Sequence, residues 1–125
     1  MIGIEHIGIF SKDSEALKNW YIELFGWKQV YANEEKKTYF LKADDGGMIE
    51  FCKSAEDGGV LGDKVTGIRH IAISVDNFDE AVEMVKKSGA EIVTDAAVSA
   101  KGVGTMFFRD PDGNVLHLIY RTEKL

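Results

Sequence analysis

The residues of this chain best suited to chemistry are its three histidines, His6, His70 and His117, and one carboxylate, Glu50. Gly3-Ile4-Glu5-His6-Ile7-Gly8-Ile9 returns as Gly67-Ile68-Arg69-His70-Ile71-Ala72-Ile73, an offset of 64 that lays His6 on His70. Glu50, in Met48-Ile49-Glu50-Phe51, lies on His117, in Leu116-His117-Leu118, at an offset of 67. Imidazole and carboxylate are the ligand types of zinc, nickel, iron, manganese and cobalt sites. A Glu inside an apolar strand costs several kcal/mol to bury, and a bound cation would offset that cost. Taken singly, each histidine has a plainer reading as a hydrogen-bonded core or surface residue. The repeat that relates all four favours a divalent metal site.

The elements that must position these residues follow from periodicity. Ile4 to Phe10 alternates as a strand, with Ile7 and Ile9 on one face and His6, Gly8 and Phe10 on the other. Asp13 or Ser14 caps a helix whose apolar face is Leu17, Trp20, Tyr21, Leu24 and Phe25, and Gly26 ends it. Strands are expected at residues 27–32, 37–43 and 47–53, separated by Asn33-Glu34-Glu35-Lys36 and Asp44-Asp45-Gly46-Gly47. Residues 54–66, rich in glycine and charge, read as a linker free to arch over a sheet as a flap.

The pattern then restarts. A strand at residues 68–75 precedes a helix capped by Asn77, with Phe78, Ala81, Val82 and Val85 on its buried face and Gly89 at its end. Strands at 91–94, 104–109 and 114–121 follow, the last two joined by Asp110-Pro111-Asp112-Gly113. The expectation is an α+β fold: one domain, residues 1–125, of two βαβββ modules (about 3–53 and 67–122) that pair, each sheet packed against its helix.

Around the four candidates the histidine-bearing faces carry small residues, Gly8, Ala72, Ser74 and Cys52, with Phe10, Met48, Val115 and Ile119 as apolar lining for a small-molecule substrate. Cys52 is a pocket thiol or, with more weight, a buried structural cysteine. Trp20, Tyr21 and Phe25 read as helix core. Arg109 and Tyr39 are candidates to orient an anionic substrate, with surface pairing as the alternative. Gly102-Val103-Gly104 lacks the strand-to-helix setting of a phosphate cradle.

With net charge -6 and pI near 5.0, the chain has no concentrated basic face for nucleic acid or an anionic membrane. One cysteine excludes an internal disulfide, no apolar run approaches a membrane span, and the first residues have no basic-then-apolar leader pattern. A cytoplasmic protein is expected.

The opening Ile4-Glu5-His6-Ile7-Gly8-Ile9, the central Ile68-Arg69-His70-Ile71-Ala72-Ile73 and above all Phe108-Arg109-Asp110-Pro111-Asp112-Gly113-Asn114-Val115 resemble the vicinal oxygen chelate superfamily, the glyoxalase I, bleomycin-resistance and extradiol-dioxygenase group. The likeness implies paired βαβββ modules whose curved mixed sheets form a cup, with helices on the outer face, around a divalent metal held from the first, fourth, fifth and eighth strands, the positions of His6, Glu50, His70 and His117. It implies a homodimer, with the cup built within one chain or across two. It also implies a metal-dependent lyase or isomerase of glyoxalase type, acting on a small α-oxo or α-hydroxy compound through a metal-bound enolate. Glu50 is the expected proton shuttle and His117 the alternative base.

Departures from the pattern bear on this. Glyoxalase I-like members usually carry a carboxylate where His117 stands, extradiol dioxygenases place their glutamate on the final strand, and epimerase-like members tend to have an amide at the place of Glu50. A non-haem iron dioxygenase is the second enzymatic reading. A non-catalytic small-molecule-binding protein of the bleomycin-resistance kind is the alternative outside enzymes, although those proteins have lost the ligands altogether.

Overall fold

The computed structural model describes residues 1–59, 64–123 and 125, so part of the expected flap lies outside the described residues. The chain divides into two compact units, Met1–Gly58 and Gly59–Leu125.

In the first unit β1 (His6–Ser11) leads into α1 (Ser14–Phe25), then β2 (Lys28–Asn33), β3 (Thr38–Lys42) and β4 (Met48–Lys53). Asp13 caps α1, its carboxylate accepting the Ala16 N–H at 3.0 Å, and Glu15 in the first turn complements the positive end of the helix. Gly26 ends it in the left-handed conformation, φ 69°, donating its N–H to the Ile22 carbonyl. Leu17, Tyr21 and Leu24 are buried along the inner stripe, and Tyr21 packs against Phe51 of β4 with ring centroids 4.9 Å apart. Of the other expected core aromatics, Trp20 and Phe25 are half-buried, and with Trp27 beyond the helix end they complete this aromatic cluster.

The sheet runs β1-β4-β3-β2, with β1 and β4 parallel and the other neighbours antiparallel. Asn33 and Asp45 close the two hairpins by accepting the backbone N–H of Lys36 (3.0 Å) and Gly47 (2.9 Å). Lys37 takes a positive φ of 51° at the first hairpin; its carbonyl accepts the Ser14 hydroxyl at 2.6 Å and its ammonium lies 3.2 Å from both Glu15 and Glu34. These contacts tie the hairpin to the start of α1.

The second unit repeats the plan: β5 (Ile71–Ser74), α2 (Phe78–Lys87), β6 (Ile92–Val98), β7 (Gly104–Arg109) and β8 (Val115–Tyr120), in sheet order β5-β8-β7-β6 with β5 and β8 parallel. Asn77 and Glu80 form the expected capping pair at α2, the Asn77 side chain accepting the Glu80 N–H and donating to its carboxylate, both at 3.2 Å. Phe78, Val82 and Val85 are buried with Ile73, Met106, Phe108, Leu116 and Leu118. Gly104 is required by this packing, since a Cβ there would stand 2.9 Å from the Phe78 ring.

The two largest departures from the expected boundaries are at β6 and β5. β6 extends to Val98 rather than ending at residue 94, because pairing with β7 through two register irregularities carries it across Asp95-Ala96-Ala97, which show no apolar alternation. β5 begins at Ile71, leaving His70 one residue ahead of the strand; its partner β8 starts only at Val115, where the chain leaves the Asp110 turn.

Candidate metal-binding site

The register explains how each unit gathers its candidates. Gly8 pairs with Glu50 across the parallel β1–β4 ladder, and Ala72 pairs with His117 across β5–β8. In both units the histidine lies two residues upstream of that rung, on the same strand face because side chains alternate with period two. The other candidate, Glu50 or His117, therefore projects beside it. Both antiparallel neighbours of these positions are phenylalanines, Phe40 opposite Glu50 and Phe107 opposite His117.

In the first unit His6 Nε2 lies 3.6 Å from a Glu50 carboxylate oxygen. Its Nδ1 is hydrogen-bonded to the Glu5 carboxylate, an arrangement that leaves Nε2 as the outward nitrogen. The Glu5 bond, with the charges of Glu5 and Glu50, raises the His6 pKa above the ordinary 6.5 despite some desolvation. The Phe40 ring meets His6 edge-on at 5.2 Å. Gly8 leaves room for the carboxylate, since a Cβ there would touch only the Glu50 oxygen, at 3.5 Å.

The second unit has no acid at these places. The His70 and His117 rings lie 5.0 Å apart, edge to face, and Phe107 stacks on His117 at 4.1 Å with 7° between planes. His70 Nδ1 and both ring nitrogens of His117 are buried without a hydrogen-bond partner among the described residues. Burial lowers the pKa of both, helped by the Arg69 charge at His70 and by His70, Arg69 and Arg121 at His117. Unpartnered buried polar nitrogens cost of order 1–3 kcal/mol each, unless something unseen in the bare chain satisfies them. A cation would do so. Neutral imidazoles and a carboxylate are a donor set that zinc, nickel or iron accepts, so the residues fit a divalent metal.

Among the described residues there is no group of three or more His, Cys, Asp and Glu side chains arranged to hold a metal; the four candidates stand as two pairs, one per unit. Cys52, half-buried, has its thiol pKa raised by burial and by the Glu50 charge and hydrogen bond, which suits a protonated neighbour of Glu50 more than a reactive thiolate. Arg109 and Tyr39 are not available to a substrate. The Arg109 guanidinium donates to the Gly113 carbonyl at 2.8 Å and lies 3.6 Å from Glu91, while the fully buried Tyr39 donates its hydroxyl to Glu34 at 3.1 Å.

Sequence reasoning passed over Phe40, Phe107, Glu5 and Arg69. The repeat offsets hold the signal, since 67 maps Phe40 onto Phe107 and 64 maps Glu5 onto Arg69, a reversal of charge beside each histidine.

With this duplicated architecture, the chain belongs to the Glyoxalase/Bleomycin resistance protein/Dioxygenase superfamily, whose sequence profile matches residues 3–118. Among particular proteins it is similar to YwkD of Bacillus subtilis (strain 168), 29% identical over 120 residues that cover 92% of this chain and 94% of the relative. A crystal structure of a glyoxalase family protein from Enterococcus faecalis superposes with a TM-score of 0.78 at 27% identity, covering 95% of this chain and 98% of that one. The genomically encoded fosfomycin resistance protein FosX of Listeria monocytogenes shares the fold, with a TM-score of 0.77 at 22% identity over 98% and 95% of the two chains. Among the described residues no helix is long and apolar enough to cross a membrane.

Proposed function

We propose that this chain is a metal-dependent lyase or isomerase of glyoxalase type, acting on a small α-oxo or α-hydroxy substrate, with His6, Glu50, His70 and His117 holding one divalent ion. The observation that carries the reading is the repeated geometry: the same ladder position in each unit sets two ligand-type side chains together, and three ring nitrogens of the second pair are buried and unpartnered. A homodimer, with the four ligands drawn from one chain or from two, is part of the proposal.

When bound, the ion would supply Lewis-acid stabilisation of the negative charge that develops on two neighbouring substrate oxygens as a carbon acid loses its proton. Glu50 moves that proton. A carboxylate ligand can detach from an ion and take up a proton, and this one is bordered by Gly8, the Cys52 thiol and His6. His117 is held flat against Phe107 and kept neutral by burial, which supports a ligand role and leaves it as the second candidate base. Phe40 and Phe107 flank the polar groups with apolar surface that excludes water from the reacting carbon.

The test is metal content of the purified full chain, measured by mass spectrometry, beside His6→Ala and Glu50→Ala. One ion per chain in the parent and loss in both variants is expected. Parent and variants equally free of metal would leave the small-molecule-binding reading in its place.

A further inference from the structure

The chain has three arginines, Arg69, Arg109 and Arg121, all in the second unit. Arg109 is committed to the Gly113 carbonyl and Glu91. Among the described residues neither Arg69 nor Arg121 has an acidic partner, although the chain has more acidic than basic side chains to offer. An unpaired arginine at a surface is ordinarily just solvated. Arg69 differs in its seat, because its guanidinium carbon stands 5.4 Å from the centroid of Phe107, the ring that stacks on His117 at 4.1 Å. The cation–π contact restrains a long side chain while leaving its fork of N–H donors unused.

We propose that Arg69 recognises a carboxylate carried by the substrate, so that the natural substrates are α-oxo or α-hydroxy acids rather than their neutral counterparts. A planar guanidinium matches a carboxylate with two parallel N–H···O bonds, and the half-buried imidazoles beside it have no acid to compete for that fork. The first unit carries Glu5 and Glu50 at the corresponding places and has no arginine, so an anion is repelled there and drawn to the second unit. This deepens the proposed function and rests on its reading that the His70–His117 face meets substrate.

Pyruvate and methyl pyruvate differ by that one charge and serve as probes. Each is titrated into the full-length protein, zinc-loaded and EDTA-treated, and followed by amide chemical shifts in the parent, Arg69→Gln, Arg69→Lys and Arg121→Gln. The parent is expected to bind pyruvate roughly tenfold or more tighter than the ester, the scale of a charged hydrogen-bonded contact. Arg69→Gln brings the two ligands level without changing zinc content, Arg69→Lys keeps part of the preference, and Arg121→Gln keeps most of it. Binding of neither ligand, equal binding of both by the parent, full preference in Arg69→Gln, or an equal loss in Arg121→Gln would each overturn the proposal. Failure of zinc to bind, with the Arg69-dependent preference intact in EDTA, would sink the metal reading and leave this one standing.

Discussion

In the first unit the histidine at the head of the sheet has an acid at either nitrogen, Glu5 bonded to Nδ1 and Glu50 facing Nε2. In the second, the same position is bordered by a second imidazole and an arginine, and three buried ring nitrogens have no hydrogen-bond partner among the described residues. Backbone and register are shared, so the divergence lies in a few side chains at matching rungs. The duplicated scaffold carries one pair with an acid, His6 and Glu50, and one pair of imidazoles, His70 and His117, whose burial disfavours their protonation. Division of labour of that kind is what a site needs if it is to hold a cation and also move a proton.

The largest effect expected from breaking this contrast is on turnover. Glu50→Gln keeps the shape of the acidic pair and removes its base, so deuterium exchange at the carbon next to the oxo group of an α-oxo acid (C3 of pyruvate), followed by proton NMR, should slow by roughly a hundred- to ten-thousandfold. A loss of that size in His117→Gln, with Glu50→Gln near the parent, would reverse the roles of the two pairs.

Next in size are the glycines. Gly104→Ala should destabilise the fold by about 1–3 kcal/mol in urea unfolding, because the new methyl group meets the Phe78 ring close to its backbone attachment. Gly8→Ala makes the first unit resemble the second, where Ala72 stands at this rung, and should change stability by no more than about 0.5 kcal/mol. Equal losses from both would mean that the Gly8 backbone is as crowded as that of Gly104.

His117→Phe should abolish metal binding and yet raise the stability of the metal-free chain by about 1–2 kcal/mol, since it removes two unpartnered buried nitrogens and keeps the stack on Phe107. His6→Phe should bring no such gain, because that ring is exposed and already bonded to Glu5. Urea midpoints of the two variants decide the matter; a destabilised His117→Phe would show that those nitrogens have partners in solution.

The smallest effect is in titration. In metal-free protein His6 should titrate above 6.5 and His70 and His117 below it, read from their ring-proton shifts. The signs for stability are opposite. The raised His6 contributes stability below its unfolded value near 6.5 that is lost as pH rises through its folded value, whereas the depressed pair contributes stability above 6.5 that is lost as pH falls through theirs. All three titrating together would erase the electrostatic difference between the units.

Much of this molecule is legible in the chain alone. The strand–helix–strand–strand–strand order, the Asp13 and Asn77 caps, the Gly26 stop and the Asp110 turn each follow from a local rule and stand where that rule puts them. β6 is the exception among elements: it is an edge strand with most side chains exposed, so no buried face imprinted an alternation on Asp95-Ala96-Ala97. At the site, period-two alternation identifies which residues share a face with His6 and His117, and the cross-strand register brings each to its partner. Alternation does not say which polar groups a turn consumes. Arg109 has the composition of an anion binder and is used by the Asp110 turn, while Arg69, within the repeat itself, stands over the Phe107 ring of β7.

The central claim is that imidazoles from both units hold one ion, and ring-nitrogen NMR of the three histidines during a zinc titration of the full-length protein reads it directly. The account predicts that His6, His70 and His117 all shift together and saturate at one equivalent of zinc per chain. Saturation of His70 and His117 with His6 unmoved, or no response from any of the three, would contradict it.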